Sequence, residues 1–142
     1  ILVIPLTVLA RHALLLVDHG SRSAEANLQL EELARRVRTR CPGLVVEIAH
    51  MELLPPTLAD ALARCQQAGV EEVVVCPWFL GPGRHTRETI PELVARAAAG
   101  RGALRVRIAE PLGLDEKLID VLIARSEEAC AGAPQPDPSS NQ

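Results

Sequence analysis

Residues 13–17 (ALLLV) form an unbroken apolar run of strand length, the pattern of a strand covered on both faces. The period then changes. Within residues 27–40, Leu30, Leu33, Ala34 and Val37 recur at helical spacing, and Pro42-Gly43 ends the segment. Residues 44–49 predict a second strand, followed by a helix that opens at Thr57, with Asp60 three residues on as in a capping box, and closes at Gly69. Residues 73–76 predict a third strand, then a loop holding Gly81, Pro82 and Gly83, then a helix with Pro91 in its first turn that ends at Gly100. Residues 104–109 predict a fourth strand, and residues 115 to about 130 a fourth helix. Four strand-then-helix units predict an α/β domain with a parallel four-stranded sheet and helices on both faces.

The last helix carries apolar residues beyond one stripe: Leu118, Ile119, Val121, Leu122 and Ile123. Such a helix is either wedged into the core of its own domain or leaves apolar surface for a partner. The flanks read differently from the core. Residues 1–12 are expected to be a leader of uncertain structure, an extra edge strand or the hydrophobic part of a targeting segment, and too short to span a bilayer. Residues 131–142, with Pro134, Pro136 and Pro138, are expected to be a disordered tail. The remaining residues, 13–130, form the single expected domain.

Composition narrows the function classes. At 48% apolar and 23% charged residues, the 142-residue chain is too apolar for intrinsic disorder. A net charge of −3 gives no general attraction to nucleic acid. Trp78 and Phe79 are the only aromatic residues, which leaves almost nothing for stacking bases. Lys117 is the only lysine among 15 basic residues, and the arginine bias has a bland explanation in a GC-rich genome. Cys41, Cys65, Cys76 and Cys130 show no CxxC spacing and are expected to be free thiols in a reducing compartment, with Cys76 a small core residue.

In open α/β sheets, ligands occupy the crevice beyond the carboxyl ends of the strands. Those ends carry Asp18-His19-Gly20-Ser21-Arg22, His50-Met51-Glu52 and Gly81-Pro82-Gly83-Arg84-His85. Three of the four histidines therefore fall on one rim with a carboxylate, while His12 is expected at the opposite edge, ahead of the first strand, as a solvated bystander. Imidazole with carboxylate suits late first-row divalent metals, and imidazole also accepts protons near neutrality. Arg22, Arg84 and Arg87 would line the rim for a polyanionic ligand. A non-enzymatic metal-binding module would use the same histidines without a substrate cavity. His19-Gly20 also fits a phosphatase with a nucleophilic histidine, but Asp18 stands where a cation would be needed.

These segments resemble the short sirohydrochlorin chelatases, the single-domain class II enzymes that insert a divalent metal into sirohydrochlorin. The resemblance runs from residue 13 to 130. It rests on VDHGSR at 17–22, Asn27, AHMEL at 49–53, PWFLGPGRH at 77–85, Ile90-Pro91 and EPLG at 110–113, and is nearest the cyanobacterial and plastid branch. It implies a three-layer, chelatase-like (flavodoxin-like) fold. It implies His19 and His85 as metal ligands, with His19 also taking up protons, and Glu52 as third ligand or proton relay. Ser21, Arg22, Leu80, Gly81, Pro82, Gly83, Arg84 and Arg87 are implied as substrate contacts, the arginines pairing with the macrocycle's acetate and propionate arms. It further implies Fe²⁺ as the metal, with Co²⁺ as alternative, taken as substrate rather than as a permanent cofactor. A homodimer is expected, in the cytoplasm of a bacterium or the stroma of a plastid, with no nucleic-acid or membrane partner. The chain departs from the family at Pro55, where an acidic residue is usual. It departs again at Thr89, which replaces an aspartate and is expected to keep a helix-capping side chain. Plant members carry a cysteine cluster for an iron–sulfur centre; only Cys130 lies in that region, so no cluster is expected.

Overall fold

The computed structural model describes residues 11–132. The leader expected at 1–12 and the tail expected at 131–142 fall almost wholly outside the described residues. Four strands, β1 (His12–Asp18), β2 (Val45–His50), β3 (Glu72–Pro77) and β4 (Arg105–Ile108), alternate with four helices. These are α1 (Ala24–Arg40), α2 (Leu58–Gln67), α3 (Ile90–Ala98) and α4 (Glu116–Ala131). All strand pairs are parallel and the order is β2-β1-β3-β4. β1 is thus central, which is why its sequence is apolar without alternation: Ala13, Leu15, Leu16 and Val17 are all buried.

The two faces are covered unequally. α1 packs Leu30 and Ala34 onto Leu16, Val46 and Ile48 on one face. On the other, α2 and α3 bring Leu58, Ala61, Leu62, Cys65, Ile90 and Val94 onto Leu15, Val17, Val73 and Val75. Removing a Leu15- or Leu62-sized side chain from water contributes about 1.5–3 kcal/mol, so this second layer anchors the sheet. α4 has no buried residue, and Val121, Leu122 and Ile123 are exposed. It is therefore not wedged into the core.

Local chemistry explains most boundaries. Thr57 and Asp60 form the expected capping box, each side chain accepting from the other's backbone N–H. Asp115 caps α4 by accepting from the Lys117 N–H. The expectation for Thr89 is overturned. It has helical dihedrals and no capping hydrogen bond, because a π-helical turn (His85–Thr89) runs directly into α3 and leaves no free helix start to cap.

His12 also departs from expectation. It is the first residue of β1, and its Nε2 lies 2.8 Å from an oxygen of Glu72, which is only 5% exposed. Arg107 and Arg105 approach the same carboxylate. A buried carboxylate needs such partners, so His12 is one of the groups gathered around the buried Glu72 at the amino edge of the sheet and is not a solvated bystander.

Candidate active site

β1 has β2 on one side and β3 on the other, and the chain leaves β1 towards α1 on one face and leaves β3 towards α3 on the opposite face. The divergence opens a crevice above the carboxyl ends of β1 and β3. The ladder does not stop at the strand ends. Met51 N–H donates to the Asp18 carbonyl at 2.9 Å and Glu52 N–H to the His19 carbonyl at 3.3 Å. That continued pairing sets Glu52 beside His19, and the His19 Nε2 to Glu52 Oε1 distance is 3.0 Å. Both side chains remain about half exposed and open to a ligand.

His19 Nδ1 donates to the Gly20 carbonyl at 3.2 Å, so the nitrogen facing Glu52 and the crevice is Nε2. Gly20 turns the chain with φ +88° and comes so close to the Glu52 carbonyl that a Cβ would lie 2.2 Å from its oxygen. Only glycine fits there. Leu53, just after Glu52, has φ 76° without being glycine, a strained backbone of the kind that gathers at functional sites.

The other wall comes from the segment after β3. Trp78 N–H donates to the Val17 carbonyl at 2.7 Å, holding the start of the loop against β1. Thr86 clasps Gly83, its hydroxyl oxygen accepting from the Gly83 N–H at 2.9 Å and donating to the Gly83 carbonyl at 3.1 Å. The EPLG segment supports the loop from behind, with Leu112 N–H on the Phe79 carbonyl and Gly113 N–H on the Leu80 carbonyl. His85 is the first residue of the π-helical turn. Its ring stands edge-on to that of His19, with centroids 4.9 Å apart, and is stacked by Phe79 at 6.3 Å.

The structure thus brings His19, Glu52 and His85 together. Among the described residues no three His, Cys, Asp or Glu side chains form a ready-made metal-holding group. Arg22 and Arg87 are exposed with no ion-pair partner among the described residues, whereas Arg84 is engaged 3.4 Å from Glu88. Leu80, Gly81, Pro82 and Gly83 are exposed in the loop. Ser21 is fastened to Asn27, which accepts from the Ser21 N–H at 2.9 Å and donates to the Ser21 carbonyl at 2.7 Å. Beside the rim, a cavity of about 630 Å³ is lined by Ser21, Arg22, Asn27, His50, Leu53 and Pro55. A larger concavity of about 720 Å³ lies on the flank of α1 and α2 and includes none of His19, Glu52 and His85.

One member of the expected rim set is moved. His50 is not open to the crevice; it is 3% exposed, with Nδ1 donating to Asp18 Oδ1 at 2.5 Å. This Asp18–His50 pair was not foreseen. The signal was available, since the two residues end neighbouring predicted strands. Phe79 as the ring stacked on His85 was also missed, and only the tertiary contact reveals it. All four cysteines are free, and burial pushes the Cys65 thiol up to about 11. No described helix is long and apolar enough to cross a membrane.

Comparison with known proteins places the fold in a family. The model of the CbiX family matches residues 13–129. The chain is 44% identical over 109 residues to the chloroplastic sirohydrochlorin ferrochelatase of Arabidopsis thaliana, covering 77% of this chain and 48% of that one. It is 31% identical to the sirohydrochlorin cobaltochelatase of Methanopyrus kandleri, covering 82% of this chain and 96% of that protein. Among solved structures, SirB from Bacillus subtilis subspecies spizizenii in complex with cobalt superposes with a TM-score of 0.78 at 29% identity, covering 83% of this chain and 50% of that one. The chain spans about half the length of the Arabidopsis and Bacillus relatives and nearly all of the archaeal one.

Proposed function

The chain belongs to the CbiX family, and from that membership we propose that it is a sirohydrochlorin chelatase, inserting Fe²⁺, or alternatively Co²⁺, into the free macrocycle. The observation that carries the reading is the meeting of two imidazoles and a carboxylate, His19, His85 and Glu52, at the switch point of the sheet. Insertion exchanges two pyrrole N–H protons for one M²⁺. The site must therefore release a metal and accept protons at nearly the same place, and imidazole and carboxylate do both. His19 Nε2, oriented by the bond from Nδ1 to Gly20, serves as a ligand and then as an acceptor for a pyrrole proton. Glu52 takes the proton on from Nε2 across their 3.0 Å contact. His85 holds the metal from the opposite wall, its ring kept in place by Phe79. Arg22 and Arg87, exposed on the rim, together with Arg84 once it leaves Glu88, pair with the macrocycle's carboxylate arms, while Ser21 and residues 80–83 border it.

Iron is preferred because the relative at 44% identity is a ferrochelatase, whereas the cobaltochelatase cited is at 31%. The reading includes a homodimer, supported by an α4 that has no buried residue and an apolar face. It includes a plastid stroma or bacterial cytoplasm as the site of action, no resident cofactor or iron–sulfur cluster, and no nucleic-acid or membrane partner. The test is to mix the purified protein with sirohydrochlorin and Fe²⁺ or Co²⁺ and follow the absorbance of the macrocycle. Catalysed insertion supports the reading. A non-enzymatic metal-binding module would take up the metal and leave the spectrum to change at the uncatalysed rate. Light scattering of wild type and Leu122→Glu tests the dimer.

A further inference from the structure

Asp18 and His50 are ionisable, largely buried and unused by the chemistry above. They end the neighbouring strands β1 and β2 in matched register, with side chains 2% exposed for His50 and 19% for Asp18. Because the Asp18 oxygen accepts, His50 Nδ1 carries the hydrogen of their 2.5 Å bond. The same oxygen, Oδ1, accepts from the Gly20 N–H at 3.0 Å. One carboxylate oxygen thus fastens the backbone on the far side of His19, while its own residue adjoins His19 on the near side. His50 holds the other ligand-bearing segment. Its backbone N–H, independent of the imidazole, donates to the Pro56 carbonyl at 2.9 Å, closing the loop that carries Glu52 onto the end of β2.

We infer that Asp18 and His50 form a positioning pair, whose hydrogen bonds hold the ends of β1 and β2 so that His19 and Glu52 face one another. Stability alone does not call for it. A buried polar pair is often no more stabilising than apolar residues of the same volume, and Ala49 and Ile48 already continue the apolar strand. An apolar residue at 18 would leave the Gly20 N–H and the His50 Nδ1–H without their acceptor. Gly20 also packs directly on the Glu52 segment, a Cβ there lying 2.2 Å from the Glu52 carbonyl oxygen. The pair acts through geometry, not charge. Asparagine at 18, which offers a carbonyl oxygen to both donors, preserves the function, as does asparagine at 50, which offers an N–H near the place of Nδ1.

The inference rests on the chelatase reading for its kinetic arm only; Co²⁺ binding to the protein alone tests it whatever the macrocycle. Titration of the metal-free protein with Co²⁺, followed by visible absorption, should give dissociation constants for Asp18→Asn and His50→Asn within about threefold of wild type. Asp18→Ala and His50→Leu should bind about tenfold to a hundredfold more weakly, the scale expected when a partner that orients metal ligands is lost. With sirohydrochlorin, the same two variants should lose kcat while KM stays near the wild-type value. If one deleting variant fails to fold by circular dichroism, the other supplies the comparison at its own position. Wild-type Co²⁺ affinity in a folded deleting variant would overturn the inference. So would asparagine variants as weak as the deleting ones, which would mean that the charge or the imidazole itself is required.

Discussion

Gly20→Ala perturbs the site through the backbone alone. The wild-type residue sits at φ +88°, and the added Cβ would lie 2.2 Å from the Glu52 carbonyl oxygen and 3.3 Å from its carbon. Such contacts are not found below 3.0 Å, so the two segments must part by about 0.8 Å. Holding alanine in left-handed backbone costs about 1–2 kcal/mol, and relieving an overpacked contact adds about 1–3 kcal/mol. The expected loss of about 2–5 kcal/mol is a large share of a stability of about 5–15 kcal/mol, and should lower Tm by about 8–20 °C. Because the displaced carbonyl belongs to Glu52, the carboxylate moves away from His19, and a shift approaching 1 Å should reduce insertion by about a hundredfold. Gly43 is the matched control. Its φ is +87°, yet nothing lies within 4 Å of an added Cβ. Gly43→Ala should therefore show the strain alone, about 1–2 kcal/mol, with an unchanged rate. The assay pairs thermal unfolding with initial insertion rates for the three proteins. Equal losses of stability and activity in both variants, or none in Gly20→Ala, would refute the clash as the cause.

Three further outcomes follow, the first two from the proposed chelatase reading and the third from geometry alone. His19→Ala should abolish most insertion while changing stability by less than about 1 kcal/mol, because an open rim side chain supports little of the core; initial rates and circular dichroism together check this. Arg87→Ala should raise KM for sirohydrochlorin more than it lowers kcat, since pairing with a peripheral carboxylate is uniform binding; steady-state kinetics that show the reverse would place Arg87 in the chemistry. At the amino edge, burial raises the Glu72 pKa, but hydrogen bonds from Arg107 and His12 and the charges of Arg107 and Arg105 outweigh it and hold the carboxyl below its ordinary 4.5. A depressed pKa contributes stability above the unfolded value that is lost as pH falls through the folded one. The stability gap between wild type and Glu72→Gln in urea should accordingly be full at neutral pH and shrink below pH 4.5; a gap independent of pH would rule the ion cluster out.

The linear pattern was enough to determine the fold. Apolar runs of strand length, helical repeats, the capping pair Thr57 and Asp60, and Pro91 in the first turn of α3 are all local signals, and each was realised near its expected place. The strand-then-helix order also put His19, Glu52 and His85 at one edge, because a parallel sheet sends every strand's carboxyl end the same way. Side-chain pairing was another matter. Sequence position made His50 look like a member of the open rim and His12 a bystander. The structure buries His50 against Asp18 and pairs His12 with Glu72, because strand register, with Asp18 opposite His50 and His12 opposite Glu72, decides which groups meet. The π-helical turn that removes the cap at Thr89 likewise lies in a segment where Thr86 clasps Gly83 and the distant EPLG braces the chain. Local propensity acts over a few residues, whereas a buried polar group must find its partner wherever the fold brings one within hydrogen-bond reach. The backbone was therefore legible from the chain, and the wiring of its charged and polar groups was decided by tertiary structure.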